Sequence, residues 1–102
     1  MAWVYLLRCR DGSLYTGATR DLARRVEQHQ AGSASRYTRS RRPVALVWSV
    51  AVRGWGRALR LERRVKRLSR PQKLGLLSGT TPLPRVRVAP AKRQTSTAGT
   101  TA

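Results

Sequence analysis

The hydrophobic positions in the first half of the chain mostly follow the two-residue period of strands. Residues 3–9 are rich in aromatic and other strand-forming side chains, and residues 14–18 repeat this composition after a polar loop. The two segments predict the strands of a hairpin. Residues 44–52 predict a third strand, in which large side chains at the even positions alternate with smaller ones, so one face is expected to pack more tightly.

Between the hairpin and the third strand, a period of 3.6 residues predicts an amphipathic helix. It runs over residues 22–31, with Asp21 as its N-terminal cap and Gly32 at its end. Its inward stripe includes Arg25 and His29 beside two apolar residues. Burying a guanidinium without a partner is costly. We therefore expect this stripe to border an open cleft that an anion can enter.

The second half of the chain predicts one longer helix with an acid on its apolar side. Residues 32–42 are small, polar and basic and predict a loop, which contains Tyr37. Residues 54–56, with two glycines, end the pattern of the third strand, and residues 57–68 predict the helix. Its apolar stripe includes Glu62, the only acid in this half of the chain. An ordinary amphipathic helix would carry Leu or Ala there, so Glu62 is a candidate functional residue, although an ion pair with an inward arginine would also explain it.

The C-terminal part predicts a short helix and then a tail. Pro71 begins the helix over residues 71–77, and Gly79 ends it. Residues 80–102 are Thr, Pro and Ala with four scattered basic residues and no periodicity. Their apolar content is too low for folding, so we expect a disordered basic tail after a domain over residues 1–79.

The length of the hairpin loop decides whether two tyrosines, Tyr5 and Tyr15, can act together. A two-residue loop would place them on opposite faces of the sheet, because side chains alternate along a strand. A three-residue loop over positions 10–12, with Gly12 in the left-handed conformation, pairs Tyr5 with Gly17 and puts both rings on one face. We predict the three-residue loop, with Gly17 leaving open space beside the Tyr5 ring.

Composition indicates a nucleic-acid partner. The 102 residues carry 22 Lys plus Arg against 4 Asp plus Glu, a net charge of +18, and such a field attracts polyanions. Cys9 is the only cysteine, which excludes an intramolecular disulfide and a cysteine metal cluster, and it is expected in the core. No apolar run predicts a membrane span or a signal peptide. A reducing cytoplasm is expected, with nucleoid association in a bacterium.

The order of these residues resembles the GIY-YIG nuclease family, and in particular its small stand-alone bacterial members. The likeness covers residues 2–77 and rests on Val4-Tyr5-Leu6, Tyr15-Thr16-Gly17, Arg25 with His29, and Glu62. It implies an α+β fold, a small three-stranded antiparallel sheet flanked by helices. It also implies metal-dependent hydrolysis of a phosphodiester.

The resemblance further implies residue roles. The catalytic candidates are Tyr5, Tyr15, Arg25, His29 and Glu62. Glu62 would hold a divalent metal, and a single carboxylate completed by water suits Mg²⁺ or Mn²⁺ better than Zn²⁺. The residues expected to contact nucleic acid, most plausibly DNA, are Gly17, Arg36, Tyr37, Arg39, Arg41 and Lys66.

The chemistry of these residue types suits a phosphodiester. Arg25 can bind non-bridging oxygens with its planar fork. The reference pKa of tyrosine is about 10, and we expect Arg25, the metal and the positive field to lower that pKa. One tyrosine is then the candidate general base, and the other positions water or phosphate. Which tyrosine has which role stays open, and His29 either shares the base role or contacts the phosphate.

Two departures from the family pattern affect the site. The motif isoleucines are replaced by Val4 and Thr16, which we expect to be harmless for packing. Family nucleases often carry a late asparagine near the site, and this chain has no asparagine. Gln72 and Lys66 are the candidates to replace it.

Three functions fit the sequence. The first is a metal-dependent endonuclease for DNA, selective for structure rather than sequence, with a role in repair or recombination. The second is a nucleic-acid-binding module that keeps the fold without cutting. The third, an RNA-associated basic protein, rests on charge alone. Glu62 on an apolar stripe favours the enzyme, because a binding module has no need of it.

Overall fold

The computed structural model describes residues 1–84, which form three strands and four helices. In chain order they are β1 (Ala2–Arg8), β2 (Leu14–Thr19), α1 (Leu22–Ala31), α2 (Arg36–Arg39), β3 (Ala45–Val52), α3 (Trp55–Lys66) and α4 (Arg70–Ser78). This is the predicted α+β architecture. Most of the predicted tail lies outside the described residues. No helix within residues 1–84 is long and apolar enough to cross a membrane.

The strand β1 lies at the centre of an antiparallel sheet with the order β2-β1-β3. The loop between β1 and β2 closes with a hydrogen bond of 2.9 Å from the backbone N–H of Cys9 to the carbonyl of Ser13. Gly12 within the loop has a φ of 86°, a conformation that glycine adopts without steric cost. The prediction of a three-residue loop is confirmed.

Helices cover both faces of the sheet and create two separate clusters of buried side chains. On one face, α3 packs against β1 and β2 and α4 packs against β3, and this first cluster is built around Val4, Leu6, Ala58, Leu61, Val65 and Leu76. On the other face, α1 packs over the second cluster, which comprises Tyr5, Leu7, Cys9 and Val44 with Tyr15, Leu22 and Val26 at its edge. Both motif tyrosines therefore belong to the face that α1 covers, and Cys9 is a core residue as expected.

A bulge in β3 changes which of its residues are buried. Leu6 lies opposite Trp48, but Leu7 lies opposite Leu46, so the register shifts between the two pairs. An extra residue in one strand moves the following side chains to the other face. Trp48 packs against the first cluster, whereas Leu46 lies on the opposite face and is 41% exposed. The expectation that all large even-numbered residues share one face is wrong at Leu46.

The segment over residues 32–42, predicted as a loop, contains the helix α2. The side chain of Ser35 caps it by accepting a hydrogen bond from the backbone N–H of Thr38. Such capping satisfies a donor that a helix start leaves free. The prediction missed α2 because four residues are too few to display a helical period.

The last two helices also begin earlier than predicted. Gly54, with a φ of 89°, alone makes the break before α3, so Trp55 is already helical. The helix α4 begins at Arg70, after a capping box formed by Ser69 and Gln72. The side chain of Gln72 accepts a hydrogen bond of 2.9 Å from the backbone N–H of Ser69. The side-chain oxygen of Gln72 is thus engaged at the start of its own helix, and the replacement of the family asparagine by Gln72 stays a prediction.

The two faces supply a matched pair of leucines for a stability test. Leu61 is 1% exposed and Leu46 is 41% exposed. Leu61→Ala is expected to lower the free energy of unfolding by about 2–5 kcal/mol, because it leaves a cavity in the first cluster. Leu46→Ala is expected to cost about 0.5 kcal/mol or less. Denaturant unfolding measures both changes, and equal losses would contradict the placement of Leu46 outside the core.

Candidate active site

The hairpin register brings the two tyrosines together under α1. Tyr5 lies opposite Gly17, and Tyr15 lies opposite Leu7 on the neighbouring strand. Directly opposed residues project from the same face of a sheet. Tyr5 is 2% exposed, whereas Tyr15 is half-buried. The two rings therefore differ in their access to solvent although they share one face.

Gly17 is the position that accommodates the Tyr5 ring. A Cβ atom at Gly17 would lie 2.5 Å from Cζ of Tyr5, closer than nonbonded carbon atoms approach each other. The ring occupies the space that was expected to stay open, and Gly17 is itself buried. We therefore assign Gly17 a packing role and not a contact with nucleic acid.

His29 is the centre of the candidate site. Its Nε2 atom lies 2.8 Å from the hydroxyl oxygen of Tyr5. The Tyr15 ring meets the imidazole edge-on, with the ring centroids 5.1 Å apart. His29 lies two turns into α1 and is 1% exposed. The inward stripe predicted for this helix thus carries His29 onto both tyrosines.

Thr38 completes the hydrogen bonding of His29 and was not a predicted site residue. Its Oγ1 atom lies 2.8 Å from Nδ1 of His29 and 3.0 Å from Oγ of Ser35, and Thr38 is fully buried. Two sets of proton positions serve both bonds of a neutral imidazole. In one, Tyr5 donates to Nε2 and Nδ1–H donates to Thr38; in the other, Nε2–H donates to Tyr5 and the Thr38 hydroxyl donates to Nδ1. In the sequence, Thr38 belongs to the run Ser35-Arg36-Tyr37-Thr38, which resembles the family pattern, but only Arg36 and Tyr37 of that run were predicted as site residues.

Burial dominates the electrostatics of this pair. It raises the pKa of Tyr5, with the Tyr15 charge adding to the increase, Arg25 opposing it and Glu62 adding a smaller increase. Burial also lowers the pKa of His29, and the positive charge of Arg25 lowers it further. Arg25 lowers the pKa of Tyr5 as expected, but desolvation of the buried phenolate outweighs its effect. At neutral pH the pair is a phenol and a neutral imidazole.

Arg25 lies one turn before His29 and borders an open cleft. The guanidinium is half-buried, and the cleft it lines has a volume of about 330 Å³. Within residues 1–84 the only ion pairs are Arg41 with Asp11 and Lys66 with Glu62. Arg25 therefore has no carboxylate partner in the described part of the chain, and its charge is available to an anion.

Glu62 presents a largely buried carboxylate at the edge of the first cluster. Its side chain is 17% exposed, and Oε2 lies 3.5 Å from Nζ of Lys66 one turn along α3. The alternative of an ion pair between Glu62 and Arg25 is therefore wrong. Lys66 is engaged with Glu62; burial lowers the pKa of Lys73, and the charge of Lys66 lowers it further. Glu62 lies on α3, which packs on the first cluster, whereas Tyr5 belongs to the second cluster. The carboxylate raises the pKa of Tyr5 only as the smallest of four contributions.

The donor set fits a metal that is bound mostly by water and substrate. Among residues 1–84 there is no group of three or more His, Cys, Asp or Glu side chains that could hold a metal ion. Zn²⁺ would need such a set, whereas Mg²⁺ binds through one or two carboxylates and keeps several waters. Glu62 alone is consistent with the second kind of site.

The hydroxyl of Thr16 is expected to lower the stability of the fold. The Oγ1 atom is buried and has no hydrogen-bond partner, and a buried hydroxyl without a partner is destabilising. The expectation that threonine in place of isoleucine is harmless for packing holds for volume, but it is wrong for the hydroxyl.

The predicted nucleic-acid residues lie mainly on α2 and the turn after it. Tyr37 stacks on Tyr15 with ring centroids 5.8 Å apart, and the guanidinium of Arg41 lies 3.9 Å from the centroid of the Tyr37 ring. Arg41 also pairs with Asp11 at 3.0 Å. Arg36 and Arg39 are exposed. A continuous surface of aromatic and basic side chains therefore leads away from the tyrosines.

The chain contains a single histidine, so titration of His29 can be measured without overlap. In the folded protein the pKa of His29 lies below its ordinary value of 6.5, so the folded state binds fewer protons than the unfolded chain below that pH. The free energy of unfolding is therefore expected to fall as the pH is lowered from 7.5 toward 5.

Denaturant unfolding at a series of pH values, with NMR titration of the imidazole, measures this effect. His29→Gln should remove the pH dependence between 5 and 7.5, and Arg25→Gln should move the pKa of His29 upward. An imidazole that titrates at or above pH 6.5 would contradict the buried, neutral state.

Comparisons with known proteins bear on the family of the chain. A family model described as the GIY-YIG catalytic domain matches residues 1–75. A UPF0213 protein of Cupriavidus pinatubonensis is 49% identical over 72 residues, which cover 71% of this chain and 80% of that protein. A UPF0213 protein of Halobacterium salinarum is 46% identical over 76 residues, which cover 74% of this chain and 99% of that protein.

A solved structure of another UPF0213 protein is also similar to this chain. The solution NMR structure of a UPF0213 protein from Bacillus halodurans is similar at 46% identity and a TM-score of 0.50, with 76% of this chain and 84% of that chain covered. The names of these relatives state no activity. Because the family model spans most of the residues that the structure describes, the chain belongs to the GIY-YIG catalytic domain family.

Proposed function

We propose that this protein is an endonuclease that hydrolyses phosphodiester bonds of DNA with the help of Mg²⁺ or Mn²⁺. The observation that carries the proposal is the buried hydrogen-bonded series of Tyr5, His29 and Thr38 beside an unpaired arginine. A binding surface needs arginines and aromatic rings, but it has no need of a neutral imidazole bonded to a buried phenol. Such a pair is suited to accepting a proton.

The substrate phosphate is bound by Arg25. The guanidinium borders the cleft and has no carboxylate partner within residues 1–84, so it can offer two parallel N–H groups to the non-bridging oxygens. In the free protein, its positive charge lowers the pKa of His29. A phosphate bound to Arg25 offsets this charge, and the imidazole then becomes a better base. Substrate binding thereby prepares the proton acceptor.

The proton of the attacking water passes to the Tyr5–His29 pair. Tyr5 accepts that proton as its own hydroxyl proton moves to Nε2 of His29, so neither group needs to be a phenolate beforehand. The resulting imidazolium keeps its Nδ1–H bond to Thr38. Tyr5 is 2% exposed, so its contact with water is confined to a small part of the side chain. Tyr15, which is half-buried, positions the water or the phosphate.

Glu62 is the residue that would hold the divalent cation. The cation supplies charge neutralisation at the phosphate and at the leaving oxygen. Lys66, which lies 3.5 Å from the carboxylate, balances the charge of Glu62 until a cation binds. If a cation took the place of the ammonium beside Glu62, Lys66 would be available to contact the nucleic acid.

The substrate is recognised by its structure rather than its sequence. The candidate contacts are arginines and stacked rings, and contacts to the backbone carry no sequence information directly. Basic clefts lie at both ends of α1, one lined by Arg24 and Arg25 and the other by Arg36 and Arg39. A ten-residue helix is about 15 Å long, and one DNA strand carries a phosphate about every 3.4 Å of axis. The distance along α1 from one basic cleft to the other thus corresponds to about four phosphates of one strand.

Cleavage of plasmid and branched DNA with Mg²⁺ or Mn²⁺ tests the proposal. Tyr5→Phe, His29→Gln and Glu62→Ala are each expected to lower the cleavage rate by about 10²-fold or more, since proton transfer and charge neutralisation contribute at least that much. The double variant Tyr5→Phe/His29→Gln should be no slower than the slower single variant, because the two residues act as one unit. Arg63→Gln, an exposed change on α3, is the matched control.

The outcomes separate the competing functions. Activity that survives Glu62→Ala would contradict the metal-dependent mechanism. Full activity in Tyr5→Phe with none in Tyr15→Phe would transfer the proton-accepting role to Tyr15. Binding of every substrate without cleavage by the wild type would favour a nucleic-acid-binding module that keeps the fold.

Thr38 gives a separate test because its role is to position His29. Thr38→Val keeps the shape of the side chain but removes the acceptor for Nδ1–H, so we expect cleavage to slow by about tenfold or more, part of the 10²–10⁴-fold that positioned proton transfer contributes. The acidic limb of the pH–rate profile should also move to lower pH, because the imidazolium loses its stabilising partner.

Thr38→Ser keeps the hydroxyl and should restore both the rate and the profile. If the role of Thr38 were purely structural, Thr38→Val would slow the enzyme without changing the pH profile. That result would contradict the positioning role. Thermal unfolding of both variants controls for loss of fold.

A further inference from the structure

The cleft at the N-terminal end of α1 contains a cluster of arginines, separate from the basic surface on α2. The cleft has a volume of about 330 Å³, and its lining includes Arg20, Arg24, Arg25, Asp21 and Trp55. Arg25 connects it to the His29 cluster, but the other residues belong to no part of the mechanism described above. None of Arg20, Arg24 and Trp55 was singled out as a site residue from the sequence.

The charge of this cleft is positive and largely uncompensated. Three arginines face one carboxylate, that of Asp21, which already accepts the backbone N–H of Arg24 at 3.1 Å as the cap of α1. Neither of the two ion pairs within residues 1–84 involves an arginine of the cleft. Such a concentration of guanidinium groups favours a phosphate.

Trp55 holds one of these arginines in place. The guanidinium of Arg20 lies 4.7 Å from the centroid of the indole ring, which is within the range of a cation–π contact. Trp55 itself is half-buried and packs against the first cluster. Arg20, which is exposed, therefore rests on a fixed aromatic surface. A lone exposed arginine would lose far more side-chain freedom on binding an anion.

We propose that this cleft binds a backbone phosphate that flanks the one that is cut, and that Trp55 positions Arg20 for that contact. The inference rests on the proposed nuclease function, because it places the DNA strand across Arg25. Arg25 then lies between two adjacent phosphates and orders the strand relative to His29. The cleft thus adds to affinity and register without reading the sequence.

The geometry favours a phosphate over a stacked base as the occupant. Trp55 packs against the first cluster, and Arg20 lies over its ring. A nucleobase could stack on the indole only after displacing Arg20, whereas a phosphate meets the guanidinium where it lies. The double-mutant experiment below distinguishes the two occupants.

Binding of a fluorescein-labelled branched DNA in EDTA, followed by anisotropy across a range of salt concentrations, tests the proposal without cleavage. Arg20→Gln is expected to raise Kd by about tenfold, the loss of one charge-assisted contact, and to reduce the slope of log K against log salt by about one. Arg63→Gln removes the same charge from an exposed position on α3 outside the cleft, and should change both quantities much less.

The role of Trp55 is tested by a double-mutant cycle. Trp55→Leu should weaken binding in the wild type and have little further effect in Arg20→Gln, because it acts through that arginine. Trp55→Phe keeps an aromatic surface and should restore most of the affinity. In every variant, NMR titration of His29 reports whether the fold around the site is intact.

Two results would overturn the inference. Equal weakening by Arg20→Gln and Arg63→Gln would mean that the cleft is no more than part of a general positive field. Full weakening by Trp55→Leu in the Arg20→Gln background would mean that the ligand contacts the indole directly, as a stacked base would. Both readouts are independent of cutting, so a wild type that binds but never cleaves would refute the nuclease and leave the cleft assigned.

Discussion

The hydrogen bond between Tyr5 and His29 is the interaction on which the rest of the candidate site depends. It joins a central strand to a helix across the second cluster at 2.8 Å, and a hydrogen bond at this depth is costly to leave unmade. Three features permit it. The three-residue hairpin loop sets the face of Tyr5, Gly17 leaves room for its ring, and Thr38 occupies the second nitrogen of the imidazole. A change in any of them is expected to disturb this hydrogen bond.

The scarcity of acids leaves most arginines without carboxylate partners. Only 4 acidic residues accompany 22 basic ones, so most guanidinium groups cannot form intramolecular ion pairs. Two of those acids are in the ion pairs of residues 1–84, and Asp21 caps a helix. The excess of positive charge therefore has a local effect in addition to its effects on solubility and on the long-range field. It leaves Arg25 and its neighbours without partners at the positions where a phosphate would bind.

The sequence predicted most of the framework because hydrophobic periodicity and turn chemistry are local. The hairpin register, the bounds of α1 and the inward placement of His29 follow from residue spacing alone. Thr38 and the bulge that exposes Leu46 could not be found in this way, because each depends on contacts between distant segments. The raised pKa of Tyr5 could not be predicted from the sequence for the same reason. Charges can be counted from a sequence, but burial, which outweighs the charge of Arg25 here, cannot.

Under the proposed mechanism, Arg25 has opposite effects on the site before and after substrate binds, which makes the basic cleft part of the chemistry. Burial lowers the pKa of His29 and the charge of Arg25 lowers it further, so without substrate the pair of Tyr5 and His29 is a weak acceptor. A phosphate on Arg25 would offset the arginine's share of this effect only if it stayed in register with the imidazole. A neighbouring phosphate held by Arg20 on Trp55 would keep it there. Affinity in the cleft and basicity at His29 are then coupled through one guanidinium, so DNA that cannot occupy both positions is bound without activating the base.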